Sequence, residues 1–294
     1  MSALFTLLFS AMTINLTAPS DTTGLRQALD AEFGSHPEAV FAVAFKDLST
    51  GKTFFMNEHA SFHAASTMKT PVLIETYRQA VKGKFKISDS IEIKNTFASI
   101  VDGSPYSLDS TDDSEHDLYT RIGTKLPISD VLFRMITKSS NLATNIIIDL
   151  VGAKNVLATM RKMGAKDIQV LRGVEDDKAF EKGLNNTTTA YDLMLIMEHI
   201  AKGKAVNKTS SQAMIDILMH QHFKEGIAGK LPADVKVASK SGSITAICHD
   251  SGIIFLPDGR KMVVVLLSKG IQDQKTASGI LANASRILYD HFVQ

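Results

Sequence analysis

A single cysteine, Cys248, stands among the 294 residues of this chain. That scarcity excludes an internal disulfide framework and any zinc site built from several thiolates, and it leaves the redox compartment open. An excess of charge of one sign is lacking too. Lys and Arg number 32 against 31 Asp and Glu, for a net charge of +1 and a pI near 7.8. No basic or acidic footprint points to nucleic acid or to an anionic membrane surface as a partner. Beyond the first 18 residues, no apolar run is long enough to cross a bilayer, so no stable membrane partner is expected. Neither Gly-Lys-Ser/Thr in a phosphate-binding loop nor His-Glu-x-x-His occurs, and His220 and His222 form a lone His-x-His without a third ligand at useful spacing. No cofactor and no metal are implied. Internal repeats, low-complexity tracts and Pro/Gly-rich linkers are also missing, which argues for one continuous domain.

What is present is an ordinary globular composition, 44% hydrophobic and 21% charged, enough to bury a large core. The opening MSALFTLLFSAMTINLTA, residues 1–18, carries no charged side chain and ends in small residues before Pro19. It reads as a secretory signal, although the usual early Lys or Arg is absent, and the mature chain is expected in the periplasm or secreted, as a soluble monomer. VFAVAFKDLSTGKTFFMN, residues 40–57, reads as a β-hairpin around a Ser-Thr-Gly turn. Near the other end VKVASKSGS, SGIIFLP and KMVVVLLSK are β-branched runs, followed by helical spacing in TASGILANASRILYDHFV. Helical patterns fill the interval: PISDVLFRMI starting from a Ser129 N-cap, LATNIIIDLVG ending at Gly152, and TTAYDLMLIMEHIAKG ending at Gly203. Met194 and Met197 form a stripe best read as core. The expected fold class is α/β in the α+β sense: an antiparallel sheet formed from both chain ends, flanked by helices, with an inserted all-helical subdomain. Residues 19–294 form one domain, its sheet part about 25–65 and 205–294 and its helical part about 66–204. A site between the two parts is the natural cleft.

HAASTMKTPVLIE, residues 63–75, puts Ser66 three residues ahead of Lys69 where a loop pattern turns into an apolar run. Ser-x-x-Lys also occurs at Ser49/Lys52, but there it spans the hairpin turn and solvent. At the start of a helix, residues i and i+3 share a face about 6 Å apart at Cβ, close enough for an amine to take a proton from a hydroxyl. A lysine does so only if desolvation or a neighbouring cation lowers its pKa; the plain alternative is a lysine snorkelling from the helix. TKSSNLATN, residues 137–145, places Ser139 and Asn141 in a short break between helical patterns, and they are either cleft residues or a helix cap. KSGS, residues 240–243, offers an ammonium at Lys240, hydroxyls at Ser241 and Ser243, and Gly242, whose missing side chain lets a substrate backbone approach. Lys240 could equally be an edge-strand lysine that blocks aggregation.

In this order the three stretches resemble the Ser-x-x-Lys, Ser-x-Asn and Lys-Thr/Ser-Gly set of penicillin-recognising serine enzymes. Over residues 25–292 the chain resembles the class A β-lactamases and their relatives. The resemblance implies an acyl-enzyme on Ser66, with Lys69 and Ser139 relaying its proton and protonating the leaving nitrogen. It also implies that Asn141 holds the substrate amide, that Lys240 and Ser241 meet its carboxylate, and that the N–H groups of Ser66 and Ser243 form the oxyanion hole. The substrate would be a β-lactam or a peptidoglycan-like small molecule.

A β-lactamase of this class also uses a glutamate on a loop after the helical core to activate water. In LRGVEDDKAFEKGLNNTTTAYD, residues 171–192, two glutamates compete. Glu175 lies thirty residues after Asn145, the family's spacing, with an ion pair to Arg172 as its structural alternative. Glu181 begins Glu-x-x-Leu-Asn, the family's local pattern, but sits close to the TTT run. Glu175 is preferred and Glu181 is the alternative. Three departures stand out. The usual Asp of Ser-Asp-Asn is Ser140, so the charge that braces that loop is expected to be missing. Residues 95–121 are longer than the family's connection and could wall the cleft. Cys248 replaces an arginine that helps hold the substrate carboxylate, a role left to His249 or Thr245, while a triad of His249 with Asp250 is disfavoured because neighbours on a strand face opposite ways. A serine β-lactamase-like hydrolase is therefore expected. A D-Ala-D-Ala peptidase or penicillin-binding protein, an esterase or amidase on this scaffold, and a non-catalytic binding domain are the alternatives.

Overall fold

The computed structural model describes residues 22–293; the predicted signal segment lies outside them. Five antiparallel strands form the main sheet: β1 (Val40–Asp47), β2 (Thr53–Met56), β9 (Lys236–Ile244), β10 (Ile247–Phe255) and β11 (Lys261–Lys269). Their order is β2-β1-β11-β10-β9, so the first and last strands of the chain meet at β1 and β11 in the centre. Short ribbons pair β3 (Phe62–His63) with β8 (Thr187–Thr188), β4 (Ser90–Glu92) with β7 (Lys125–Pro127), and β5 (Phe97–Ala98) with β6 (Pro105–Tyr106). The predicted hairpin is β1–β2. Its turn is closed by Asp47 Oδ1, which accepts from the N–H groups of Ser49 and Thr50, and Ser49 and Lys52 are exposed there as expected.

Alternation along the strands divides the core into two layers. On β1, Phe41, Val43 and Phe45 face α1 (Thr23–Gly34) and α9 (Gln274–Val293), joined by Val264 and Leu266 of β11. Phe33 stacks on Phe41 and Phe45 on Phe292, with ring centroids 4.3 and 4.1 Å apart. Ala42 and Ala44 face the other way with Val263, Val265 and Leu267, against the helical part. That part holds α2 (Lys69–Val81), α3 (Ile128–Thr137), α4 (Asn141–Val151), α5 (Ala153–Lys162), α6 (Asp177–Glu181), α7 (Ala190–Ala201) and α8 (Lys208–Met219). Met194 and Met197 of α7 are buried against the sheet, as their stripe predicts.

Two boundaries differ from the sequence reading. The helix α3 starts at Ile128, one residue before the predicted Ser129 cap, because the first N–H groups of Ile128 and Ser129 already donate to the carbonyls of Asp89 and Ile87. The strand β10 starts at Ile247 rather than Ser251, so Cys248, His249 and Asp250 belong to it. Gly152 and Gly203 end α4 and α7 with φ of 79° and 71°, a conformation glycine adopts without strain.

Candidate active site

Ser66 lies in a single 3-10 turn, Ala65–Met68, that feeds into α2 at Lys69. The preceding residue, Ala65, has φ of 45°, held by its N–H donating to His63 Nδ1 at 3.1 Å. Ser139 and Glu175 also have positive φ, 57° and 60°. Left-handed backbone at non-glycine residues costs on the order of 1–3 kcal/mol and persists where surrounding contacts impose it. Three such residues converge on one cleft.

Lys69 is completely buried. Its ammonium donates to the carbonyl of Ser139 at 2.5 Å, to Ser139 Oγ at 3.2 Å and to Asn141 Oδ1 at 2.9 Å. Burial pulls its pKa down to about 7, opposed by the carboxylates of Asp113 and Glu175. Snorkelling is thus replaced by an inward-facing amine that exchanges protons near neutrality. Lys240, on the edge strand β9, is buried as well and donates to Ser139 Oγ at 3.1 Å and to the carbonyl of Ser241 at 2.8 Å. Desolvation and the nearby Lys69 hold its pKa well below the ordinary lysine value. The edge-lysine alternative is set aside: β9 is an edge, but this side chain faces inward, onto Ser139 Oγ and the carbonyl of Ser241. Ser139 Oγ bridges the two ammonium groups.

The expected direct hydrogen bond between Ser66 and Lys69 is not made, because all three Lys69 donors go to residues 139 and 141. Ser66 lines the same cleft as Ser139, Asn141, Ser241, Gly242 and Ser243, a cavity of about 490 Å³. Gly242 lines the cleft and also serves the packing of the fold. A β-carbon there would sit 2.9 Å from the backbone nitrogens of Ser66 and Thr67, so the missing side chain admits the serine turn itself against β9.

Glu175 is brought to the site: its Oε1 accepts from Asn141 Nδ2 at 2.7 Å, so the Asn141 amide joins Lys69 on one side to Glu175 on the other. Burial raises the Glu175 pKa despite that hydrogen bond. Glu181 is exposed at the end of α6 and makes no part of this network. Arg172 does not pair with Glu175. Its guanidinium donates instead to the carbonyls of Leu184 and Gly173 and to Asn185 Oδ1, closing the 171–186 loop on itself. Asn145 of α4 fastens that loop through Val174, accepting its N–H at 2.7 Å and donating to its carbonyl at 3.0 Å.

Sequence reasoning missed Asp113. The brace expected to be lost with Ser140 is supplied from the 95–121 segment. Asp113 Oδ2 accepts from Asn141 N–H at 2.8 Å, Leu142 N–H at 2.9 Å, Tyr119 hydroxyl at 3.1 Å and Ser140 hydroxyl at 3.2 Å. The signal available was only an acidic cluster, Asp112 and Asp113, in a long polar connection. Asp112 and Ser114 of this segment line the cleft, as a wall would.

His249 does not replace the arginine lost at Cys248. Its ring is buried, with Nε2 donating to His63 O at 3.0 Å and Nδ1 accepting the Ser268 N–H at 3.2 Å, and burial drives its pKa down to about 4, leaving it neutral. Asp250 faces elsewhere, accepting the Ile227 N–H at 2.9 Å, so the triad is absent as the strand geometry predicts. Thr245 is exposed in the β9–β10 turn. Lys275 of α9 is among the residues lining the cleft. His220 caps α8, its Nδ1–H donating to the carbonyl of Asp216 at 2.7 Å.

A sheet with helices on both faces, whose seam with the helical part holds a serine, two buried lysines and a loop glutamate, defines a serine hydrolase of the acyl-enzyme kind. The chain belongs to the beta-lactamase enzyme family, whose model matches residues 24–292. It is 25% identical to β-lactamase CARB-3 of Pseudomonas aeruginosa over 80% of this chain and 78% of that one. Across the whole chain and 96% of the relative, it is 23% identical to β-lactamase VEB-1 of the same organism. Among solved structures, a β-lactamase from Sphaerobacter thermophilus DSM 20745 superposes with a TM-score of 0.77 at 25% identity, covering 92% of this chain and 96% of that one. A mutant of PBP-A, solved as its acyl-enzyme complex with penicillin G, shares the fold with a TM-score of 0.79 at 24% identity over 95% and 99% of the two chains.

Proposed function

We propose that this protein hydrolyses the amide of β-lactams through an acyl-enzyme on Ser66. The observation that carries the reading is the Lys69–Asn141–Glu175 chain of hydrogen bonds beside a cleft lined by Ser66, Ser139 and Ser241. In acylation, the Ser66 Oγ–H bond gives its proton to neutral Lys69, directly or through Ser139, as Oγ attacks the lactam carbonyl. The tetrahedral oxyanion sits at the N–H groups of Ser66 and Ser243. As the C–N bond breaks, Ser139, reprotonated through Lys69 or Lys240, protonates the leaving nitrogen, and an ester remains on Ser66. Glu175 then takes a proton from water as the water oxygen attacks the ester carbonyl; as the bond from that carbonyl carbon to Oγ breaks, the proton is passed back from Glu175 to Ser66 Oγ, and the carboxylic acid product leaves with both residues restored. Asn141 orients the substrate amide, and Lys240 and Ser241 meet its carboxylate.

Glu175 decides between turnover and trapping, since a D-Ala-D-Ala peptidase acylated by penicillin releases it slowly. Hydrolysis of a chromogenic cephalosporin, followed by intact-protein mass, tests the reading. Rapid colour change without retained adduct supports it. A persistent adduct on the unmodified protein would assign a peptidase or sensor, and neither colour nor adduct would assign an esterase or a non-catalytic domain. We also propose that the protein is exported, a reading the apolar, uncharged residues 1–18 support, and that it is a monomer. Fractionation of expressing cells and light scattering of the purified protein test these two points.

A further inference from the structure

The buried carboxylate of Asp113 has no place in the chemistry above, yet four donors converge on one of its oxygens. We propose that Asp113 is a positioning residue for both half-reactions: it holds the Ser139–Asn141 turn against the start of α4 and so fixes where Asn141 meets Lys69 and Glu175. The inference rests on the hydrolase reading and names a residue that serves that same site.

The argument begins with the turn. Ser139 has φ of 57°, a conformation that a serine leaves unless its flanks are tied down. Its upstream flank is tied by Lys138 N–H donating to Arg134 O at 3.2 Å, and on its other side Ser140 N–H donates to the same carbonyl at 3.2 Å. Downstream, the first N–H groups of α4, at Asn141 and Leu142, have no carbonyl within the helix to meet, and Asp113 takes both. A helix N-terminus favours a negative charge, and Ser140, the residue at the cap, is neutral; its hydroxyl accepts from Ala143 N–H while donating to Asp113. Asp113 is itself held, its other oxygen accepting from Glu115 N–H at 3.1 Å, and it is only 3% exposed. Both ends of the Asn141 side chain then carry consequences. Its oxygen receives the Lys69 ammonium and its nitrogen donates to Glu175. A shift of this turn moves the acylation base and the deacylation base together.

Asp113 also acts through space. The charged groups around Lys69 are Asp113 from the 95–121 segment, Glu175 from the 171–186 loop and Lys240 from β9; the two carboxylates favour its charged form, while the two lysines repel one another. Removing the Asp113 charge favours neutral Lys69 at lower pH.

The test compares D113A, D113N, the double variant D113A/S140D and, as a control on the same segment, D109N, whose carboxylate is exposed. Ser140 Oγ lies 3.2 Å from Asp113 Oδ2, so a carboxylate at 140 reaches the same donors and still caps Ala143. With a chromogenic cephalosporin, D113A is expected to lose about 30-fold or more in kcat with KM within about threefold of wild type, both acylation and deacylation slowing in single-turnover measurements. In D113N the acid limb of kcat/KM moves to lower pH, D113A/S140D recovers to within about fivefold of wild type, and D109N stays at wild type. Amide hydrogen exchange at Asn141 and Leu142, which needs no substrate, is expected to quicken in D113A and to slow again in the double variant. A folded D113A with wild-type kcat and unchanged exchange would overturn the proposal, as would a loss that follows melting temperature alone and is not relieved by S140D. If wild type neither turns over nor acylates, the hydrolase reading fails, and the exchange data still decide whether Asp113 orders the turn.

Discussion

In the proposed mechanism Lys69 is the base, and its burial has two measurable effects of known sign. With its pKa brought down to about 7, it is a competent base only above that pH, so kcat/KM for acylation is expected to rise through about pH 7. Replacing Lys69 by alanine should cost about 10²–10⁴ in kcat/KM, checked by steady-state kinetics on a chromogenic cephalosporin. The same shift bears on stability. Between about pH 7 and the ordinary value of 10.5, the unfolded chain binds this proton more fully than the folded one, so this residue makes stability rise with pH across that window. Lys69→Met should therefore raise the melting temperature most below pH 7, the gain shrinking as pH approaches 10; a gain that grows with pH would contradict the burial argument. The residue scale also shows what sequence can reveal. Helical spacing singled out Ser66 and Lys69, whereas Ser139 and Lys240 were picked out only by the resemblance of the three motifs to the family set, and the structure brings all four residues to one region. Glu175 was legible by its distance from Asn145, whereas the local Glu-x-x-Leu-Asn match pointed to a glutamate on the exposed end of α6. Asp113 was not legible: it lies 27 residues before Ser140, and only tertiary folding turns that separation into contact.

At the scale of elements, the site depends on how closely β9 approaches the serine turn. Gly242→Ala would put a methyl group 2.9 Å from the nitrogens of Ser66 and Thr67, where neither backbone can give without moving the nucleophile. We expect a loss of about 1–3 kcal/mol in stability and a drop of tenfold or more in kcat/KM, read from chemical denaturation and kinetics on one preparation. A fully active G242A would mean that the turn is not held by this contact. Strand and helix identities followed from periodicity, since β1 and β11 alternate cleanly between two buried layers and α7 keeps a single apolar stripe. The start of α3 did not follow, because carbonyls from residues 87 and 89 satisfy its first N–H groups and no capping side chain is needed. Such tertiary caps leave no local signature.

For the whole molecule, the notable feature is that the 95–121 segment grips both halves of the catalytic machinery. At one end Asp113 seats the 139–141 turn. At the other, Asp176 beside Glu175 accepts from Ser99 Oγ at 2.8 Å and Ile100 N–H at 2.9 Å, Lys178 pairs with Asp102 at 2.8 Å, and Tyr106 hydroxyl reaches Val174 O at 3.3 Å. The expected wall is thus also a clasp on the glutamate loop. Asp176→Ala is expected to quicken amide exchange across residues 171–186 and to lower kcat about tenfold or more, with acylation little changed, because only the Glu175 side loses its anchor. Equal slowing of both steps would place the effect elsewhere. The fold, built from both chain ends around an inserted helical part, was legible from element order alone. The function of the long connection was not, because its contacts run to residues some 76 positions away.

One measurement bears most directly on the central claim: peptide mapping by mass spectrometry of wild type, Glu175→Gln and Glu181→Gln after mixing with a chromogenic cephalosporin. The account expects the Glu175 variant alone to accumulate the acyl group, on the peptide containing Ser66, while wild type and the Glu181 variant turn over without a lasting adduct. Acylation on another residue, or an adduct that accumulates with Glu181→Gln and not with Glu175→Gln, would contradict it.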